Sequence, residues 1–126
     1  MARVLVIDDS LSAVQKARTI LEKAGHTVET LDLLIYLPQL VKDDPPDLIL
    51  LDLSMPALSG VNVARFIRRY EKEPIPIVLY SSRPTEELAE TAITLEAAGY
   101  VQKGEPDTHL LNTISTVLKT SRTTAG

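Results

Sequence analysis

The chain has 126 residues, no cysteine and a formal net charge of −4, which suits a single domain around one core and excludes a disulfide framework or a thiolate metal site. Hydrophobic residues make up 44 % and charged residues 24 %, the balance of a folded domain and not of a disordered tail. Acidic groups outnumber basic ones and no long Lys/Arg run occurs, so direct nucleic-acid binding is not expected.

The opening Met-Ala-Arg with its short apolar run is too brief for a signal peptide or a membrane span; a cytoplasmic setting without membrane insertion is expected. "RVLVID" (3–8) is apolar and β-branched and stops at acidic residues, the pattern of a strand buried on both faces. Leu11, Val14, Ala17, Leu21 and Ala24 follow at helical spacing, with Gly25 where a helix end commonly needs a left-handed residue. "HTVETL" (26–31) alternates as a second strand, and "LLIYLPQLVKDD" (33–44) predicts an imperfect helix before Pro45-Pro46. "DLILLDL" (47–53) is the third strand, followed by a loop with Pro56 and Gly60 and a helix with Val63, Ile67 and Tyr70 on one face. "PIVLYS" (76–81) is the fourth strand. "TEELAETAITLEAAG" (85–99) is amphipathic through Leu88, Ala92 and Leu95, with Thr85 as a candidate N-cap. "YVQK" (100–103) is a short fifth strand. The last helix should begin near Pro106 and bury Leu110, Leu111, Ile114, Val117 and Leu118. A domain over 1–120 and a frayed tail over 121–126 are expected.

Strands alternating with helices through short connections predict an α/β fold: a doubly wound, five-stranded parallel sheet of order 2-1-3-4-5, flavodoxin-like. Ligands in such sheets bind beyond the carboxyl ends of the strands, where the strand order reverses, here between the first and third. Asp8 and Asp9 close the first strand and Asp52 the third. Three converging carboxylates repel one another, and a hard divalent cation with oxygen ligands resolves the conflict. Mg²⁺, or Mn²⁺ in its place, is therefore expected. Ser81 closes the fourth strand with a hydroxyl and Lys103 the fifth with an ammonium. A carboxylate nucleophile, a dication, a hydroxyl donor and a lysine together meet the needs of phosphoryl transfer.

With "VIDDS", "LLDLSMPALSG", "VLYSS" and "AAGYVQKG" in order, each at a predicted strand end, the chain resembles the response-regulator receiver domains of two-component signalling over essentially its whole length. The resemblance implies Asp52 as phosphoacceptor, with Ser81 and Lys103 as its catalytic companions. It implies Asp9 as a direct metal ligand, Asp8 acting largely through a metal-bound water, Asp52 also on the metal, and Ser54 offering its backbone carbonyl. Ser81 and Tyr100 would form the switch pair. Ser54, Ser82 and Arg83 would border the path of attacking water and tune dephosphorylation. The implied partners are a histidine kinase or phosphotransfer protein and a downstream protein, reached through the face of the fourth helix, fifth strand and fifth helix. Slow autodephosphorylation is part of the same expectation.

One departure from the family pattern and one local conflict stand out. The family's lysine is commonly followed by a cis-proline, whereas Lys103 is followed by Gly104; a cis bond without proline costs about 3 kcal/mol, so a trans link is expected. Pro38 cannot sit deep in a helix, so the second helix must start late, near Tyr36, or kink. Leu33 to Leu37 are five consecutive apolar residues, which raises a hydrophobic patch at Leu34 to Leu37 and a homodimer as a further expectation. A flavin module would need a glycine- and hydroxyl-rich loop where "DDSLSAV" stands, and a haloacid-dehalogenase-type phosphatase would need an aspartate where Ser10 stands. A receiver-like interaction module acting without phosphorylation is the closer rival.

Overall fold

The computed structural model describes residues 2–31, 36–53 and 60–125. In chain order it contains β1 (Arg3–Ile7), α1 (Leu11–Lys23), β2 (Thr27–Thr30), α2 (Leu37–Asp43), β3 (Leu48–Leu51), α3 (Gly60–Tyr70), β4 (Ile77–Ser81), α4 (Thr85–Leu95), β5 (Gly99–Gln102) and α5 (Asp107–Ala125). All strand pairs are parallel and the order is β2-β1-β3-β4-β5, as the alternation of elements predicts.

The central strands are apolar without a break because both faces of the sheet are covered. Leu5, Ile7, Ile49, Leu51, Ile77 and Leu79 join a core with α2, α3 and α4. Their strand neighbours Val4, Val6, Leu48, Leu50, Val78 and Tyr80 join a second core with α1 and α5. Strand periodicity of two thus divides each run between two layers, and a one-residue slip would exchange them. The pairing Ile7↔Leu51 is the last between β1 and β3. Asp8 and Asp52 therefore leave the sheet side by side.

Several boundaries differ from the sequence reading. Pro84 takes the N-cap place of α4 in extended conformation, and Thr85 becomes its first helical residue without a side-chain cap. The helix ends at Leu95, because Glu96 turns left-handed at φ 55°. Gly99 instead opens β5, where a Cβ would lie 3.2 Å from the Thr113 methyl. Pro106 stands just before α5, which starts at Asp107 and runs to Ala125 with no proline or glycine to stop it. Leu110, Ile114, Val117 and Leu118 are buried and Leu111 half-buried. Tyr70 is exposed and packs against Phe66, ring centroids 4.8 Å apart, instead of joining Val63 and Ile67 in the core. His26 is half-buried and its Nδ1 accepts the Ala2 N–H at 3.2 Å.

The second helix starts late, with Tyr36 at its N-cap and Pro38 in its first turn, where the missing amide costs nothing. Leu37 is 1 % exposed and belongs to the core, whereas Tyr36 is 59 % exposed. The proposed apolar patch therefore loses Leu37; Leu34 and Ile35 lie outside the described residues.

A left-handed glutamate at a helix end is strained where glycine is not. Glu96→Gly is expected to stabilise the fold by about 0.5–1 kcal/mol, read as a higher urea midpoint at unchanged slope. The Glu96 carbonyl, which accepts from Arg68 at 3.2 Å, is retained in that variant.

Candidate functional site

The site is built where strands end and helices have yet to begin. Asp8 follows β1, and its carboxylate is held from two sides: Oδ1 accepts the Ser10 N–H at 2.9 Å and Oδ2 accepts the Lys103 ammonium at 2.7 Å. Ser10 in turn caps α1, its hydroxyl accepting the Ala13 N–H at 3.3 Å. Asp52 follows β3, is 5 % exposed, and lies 3.5 Å from the same ammonium. Asp9 is exposed, yet carboxylate oxygens of Asp8, Asp9 and Asp52 all lie within 4.8 Å of one another. The three predicted acids therefore meet.

Charge decides what the cluster suits. Three carboxylates face one ammonium, which leaves a net charge of −2 when all are ionised, and a dication neutralises it. Two oxygens bound to one Mg²⁺ at about 2.1 Å each are at most about 4.2 Å apart, close to the 4.8 Å within which the three carboxylate oxygens lie. The donor set fits Mg²⁺ or Mn²⁺: hard oxygen ligands, with room for water and phosphate oxygens.

Ser81 and Lys103 are neighbours across the sheet end. The Lys103 N–H donates to the Ser81 carbonyl at 2.8 Å. Ser81 is fully buried, and its hydroxyl oxygen accepts the Arg83 N–H at 3.3 Å. Arg83 is half-buried and its carbonyl accepts the Gln102 side-chain amide at 3.1 Å; Ser82 is exposed. Burial works against the Lys103 ammonium, but the Asp8 hydrogen bond and the Asp52 and Asp8 charges outweigh it, so its pKa is raised above the ordinary lysine value.

Tyr100 stands apart from the carboxylates. It pairs with Leu79, whose side chain faces the α4 layer, and at 37 % exposure it sits at the open edge of the sheet beside α4. Ser54 lies outside the described residues. Two site neighbours have roles that the sequence reading does not assign. Ser10 was legible as a serine directly before an apolar helical repeat. Tyr80, whose ring centroid lies 5.6 Å from the Lys103 ammonium, had no local signal beyond being an aromatic in an aliphatic strand.

The peptide after Lys103 is trans, since the described residues contain no cis bond, and Gly104 adopts φ +94°. A proline cannot take that angle, which accounts for glycine here. Nothing lies within 4 Å of a Cβ added at Gly104, so Gly104→Ala should cost only the conformational term, roughly 1 kcal/mol, measurable by urea unfolding. Gly104→Pro should cost more.

Comparison with known proteins gives a consistent answer. The response regulator receiver domain family matches residues 4–115. Protein PilH of Pseudomonas aeruginosa is 31 % identical over 119 residues, covering 94 % of this chain and 98 % of PilH. The glycerol metabolism activator of Pseudomonas putida is 31 % identical over 121 residues, covering 94 % of this chain and 54 % of that protein; the chain spans about half of that relative. The structure of Vibrio cholerae chemotaxis protein CheY4 superposes with a TM-score of 0.79 at 27 % identity, covering 93 % of this chain and 98 % of that one.

Proposed function

The chain belongs to the response regulator receiver domain family of two-component systems, and from that premise we propose that it is a phosphorylation-controlled signalling switch with Asp52 as its phosphoacceptor. Receiver domains work with histidine kinases or phosphotransfer proteins, and the donor for this chain would be one of these, in the cytoplasm. No helix among the described residues is long and apolar enough to cross a membrane.

The observation that carries the reading is the convergence of Asp8, Asp9, Asp52 and Lys103 at one sheet edge. An Asp52 oxygen attacks the phosphorus of a phosphohistidine; the P–N bond breaks, a P–O bond forms, and the histidine leaves. Lys103 neutralises a phosphoryl oxygen and Ser81 donates its hydroxyl to another, after giving up the Arg83 N–H. Asp9, Asp8, Asp52 and the Ser54 carbonyl would hold Mg²⁺, or Mn²⁺, which supplies the remaining positive charge to the phosphoryl oxygens. Slow attack of water on phosphorus then releases phosphate and restores the Asp52 carboxylate, at a rate set by the residues at Ser54, Ser82 and Arg83.

The output is a population shift. Movement of the Ser81 hydroxyl toward the phosphoryl group opens space for Tyr100 to turn inward, and the face of α4, β5 and α5 changes shape for a downstream partner. Amide spectra with Mg²⁺, recorded without and with beryllium fluoride as a phosphoryl stand-in, test this. Shifts should reach Ser81, Arg83, Tyr100 and the length of α4. Shifts confined to Asp8, Asp9 and Asp52 would contradict the switch.

A further inference from the structure

The Lys103 ammonium has a third partner besides the two carboxylates. Its Nζ lies 5.6 Å from the centre of the Tyr80 ring, inside the range in which a ring face attracts a cation. Tyr80 is buried in the core layer of α1 and α5, paired with Val101 of β5. It precedes Ser81 directly in β4. The ring is therefore fixed by the sheet, while the lysine reaches it from the loop after β5.

We propose that Tyr80 is a positioning residue whose ring face seats the Lys103 ammonium, an inference that rests on the phosphoacceptor reading of Asp52. The ammonium's partners differ in kind. Asp8 and Asp52 are the groups a metal and a phosphoryl group engage, so their hold on the ammonium changes during the cycle. The ring carries no charge and takes no part in either event. It keeps the ammonium at the same place when the carboxylates are engaged elsewhere, so that less side-chain freedom is lost when the phosphoryl oxygen arrives. Burial pushes the Tyr80 phenol above its ordinary value against the pull of Lys103, with Asp107 and Asp8 adding to the rise, so the ring stays neutral through the neutral pH range.

Two substitutions separate ring from hydroxyl. Tyr80→Phe keeps the ring face, and Tyr80→Leu removes it while still filling the core; Tyr80→Met replaces the leucine variant if that one does not fold. Phosphoryl uptake from acetyl phosphate with Mg²⁺ should slow roughly 2- to 30-fold in the non-aromatic variant and stay within about twofold of wild type in Tyr80→Phe. In the metal-free proteins, the NMR order parameter of the Lys103 side chain should fall in the non-aromatic variant and hold in Tyr80→Phe. Val101→Ala, which loosens the same layer, should lower the melting temperature without slowing uptake.

A non-aromatic variant that matches wild type in both readouts overturns the seat. So does a phenylalanine variant as slow as leucine, or equal slowing by Val101→Ala. A wild type that takes no phosphoryl group speaks against the phosphoacceptor reading, and the metal-free order parameter still decides the role of the ring.

Discussion

Lys103→Met is expected to slow phosphoryl uptake at Asp52 by roughly 100- to 1,000-fold, the usual cost of losing one fixed partner of a developing negative charge. The ammonium is 2.7 Å from Asp8 and 3.5 Å from Asp52, whose side chains are almost wholly buried. Without it the two carboxylates lose their shared cation, and the metal-free protein should lose on the order of 1–3 kcal/mol of stability. Saturating Mg²⁺ should recover much of that stability and little of the rate, because a dication replaces the charge but not the donor. Alkaline pH gives a second signature. The folded-state pKa of Lys103 is raised above the ordinary value of 10.5, with burial opposed by Asp8 and Asp52. Its contribution is therefore fully present below 10.5 and is lost as pH rises through the higher folded value. Wild type should lose that stability in strong alkali, and Lys103→Met should show a correspondingly shallower decline.

Mg²⁺ should raise the melting temperature of the wild type, and Asp9→Asn should abolish the rise. An ion that binds only the folded state at 100 times its Kd adds about 2.7 kcal/mol, which for a domain of this size is roughly 10 °C. Asp9 is exposed, so its replacement disturbs no packing and leaves both Lys103 ion pairs in place. Removing one of three like charges should make metal-free Asp9→Asn slightly more stable than wild type, by up to about 1 kcal/mol. Opposite signs without and with metal distinguish a cation site from an acidic cluster that binds nothing. Differential scanning calorimetry over a magnesium titration reads both.

The sheet order and the meeting of Asp8, Asp9 and Asp52 were legible because both follow from short-range patterns. Apolar runs ending in acids mark the central strands, and parallel alternation then puts their ends at one edge. Helix starts were less legible. Thr85 looked like a cap, but Pro84 is already extended at φ −56°, ψ 147° and fills that place. The end of α4 was hidden because a glutamate, not a glycine, takes the left-handed turn, and Ala97, Ala98 and Gly99 read as a continuation. Gly99 belongs to β5 for a tertiary reason, the approach of Thr113. Contacts such as Tyr80 to Lys103 or His26 to Ala2 join residues far apart in the chain, and no local periodicity encodes them. For the five-residue apolar stretch, the late start of α2 turned Leu37 inward and Tyr36 outward, which leaves less surface for a dimer than composition suggested.

The proposed switch depends on Asp52 accepting a phosphoryl group in a metal-dependent reaction. Intact mass after incubation with acetyl phosphate, with and without Mg²⁺, for wild type and Asp52→Asn, tests it most directly. Wild type should gain one phosphoryl group only when Mg²⁺ is present, and Asp52→Asn should gain none. An equal gain in the variant, or no gain in wild type under conditions where an established receiver domain is modified, would contradict it.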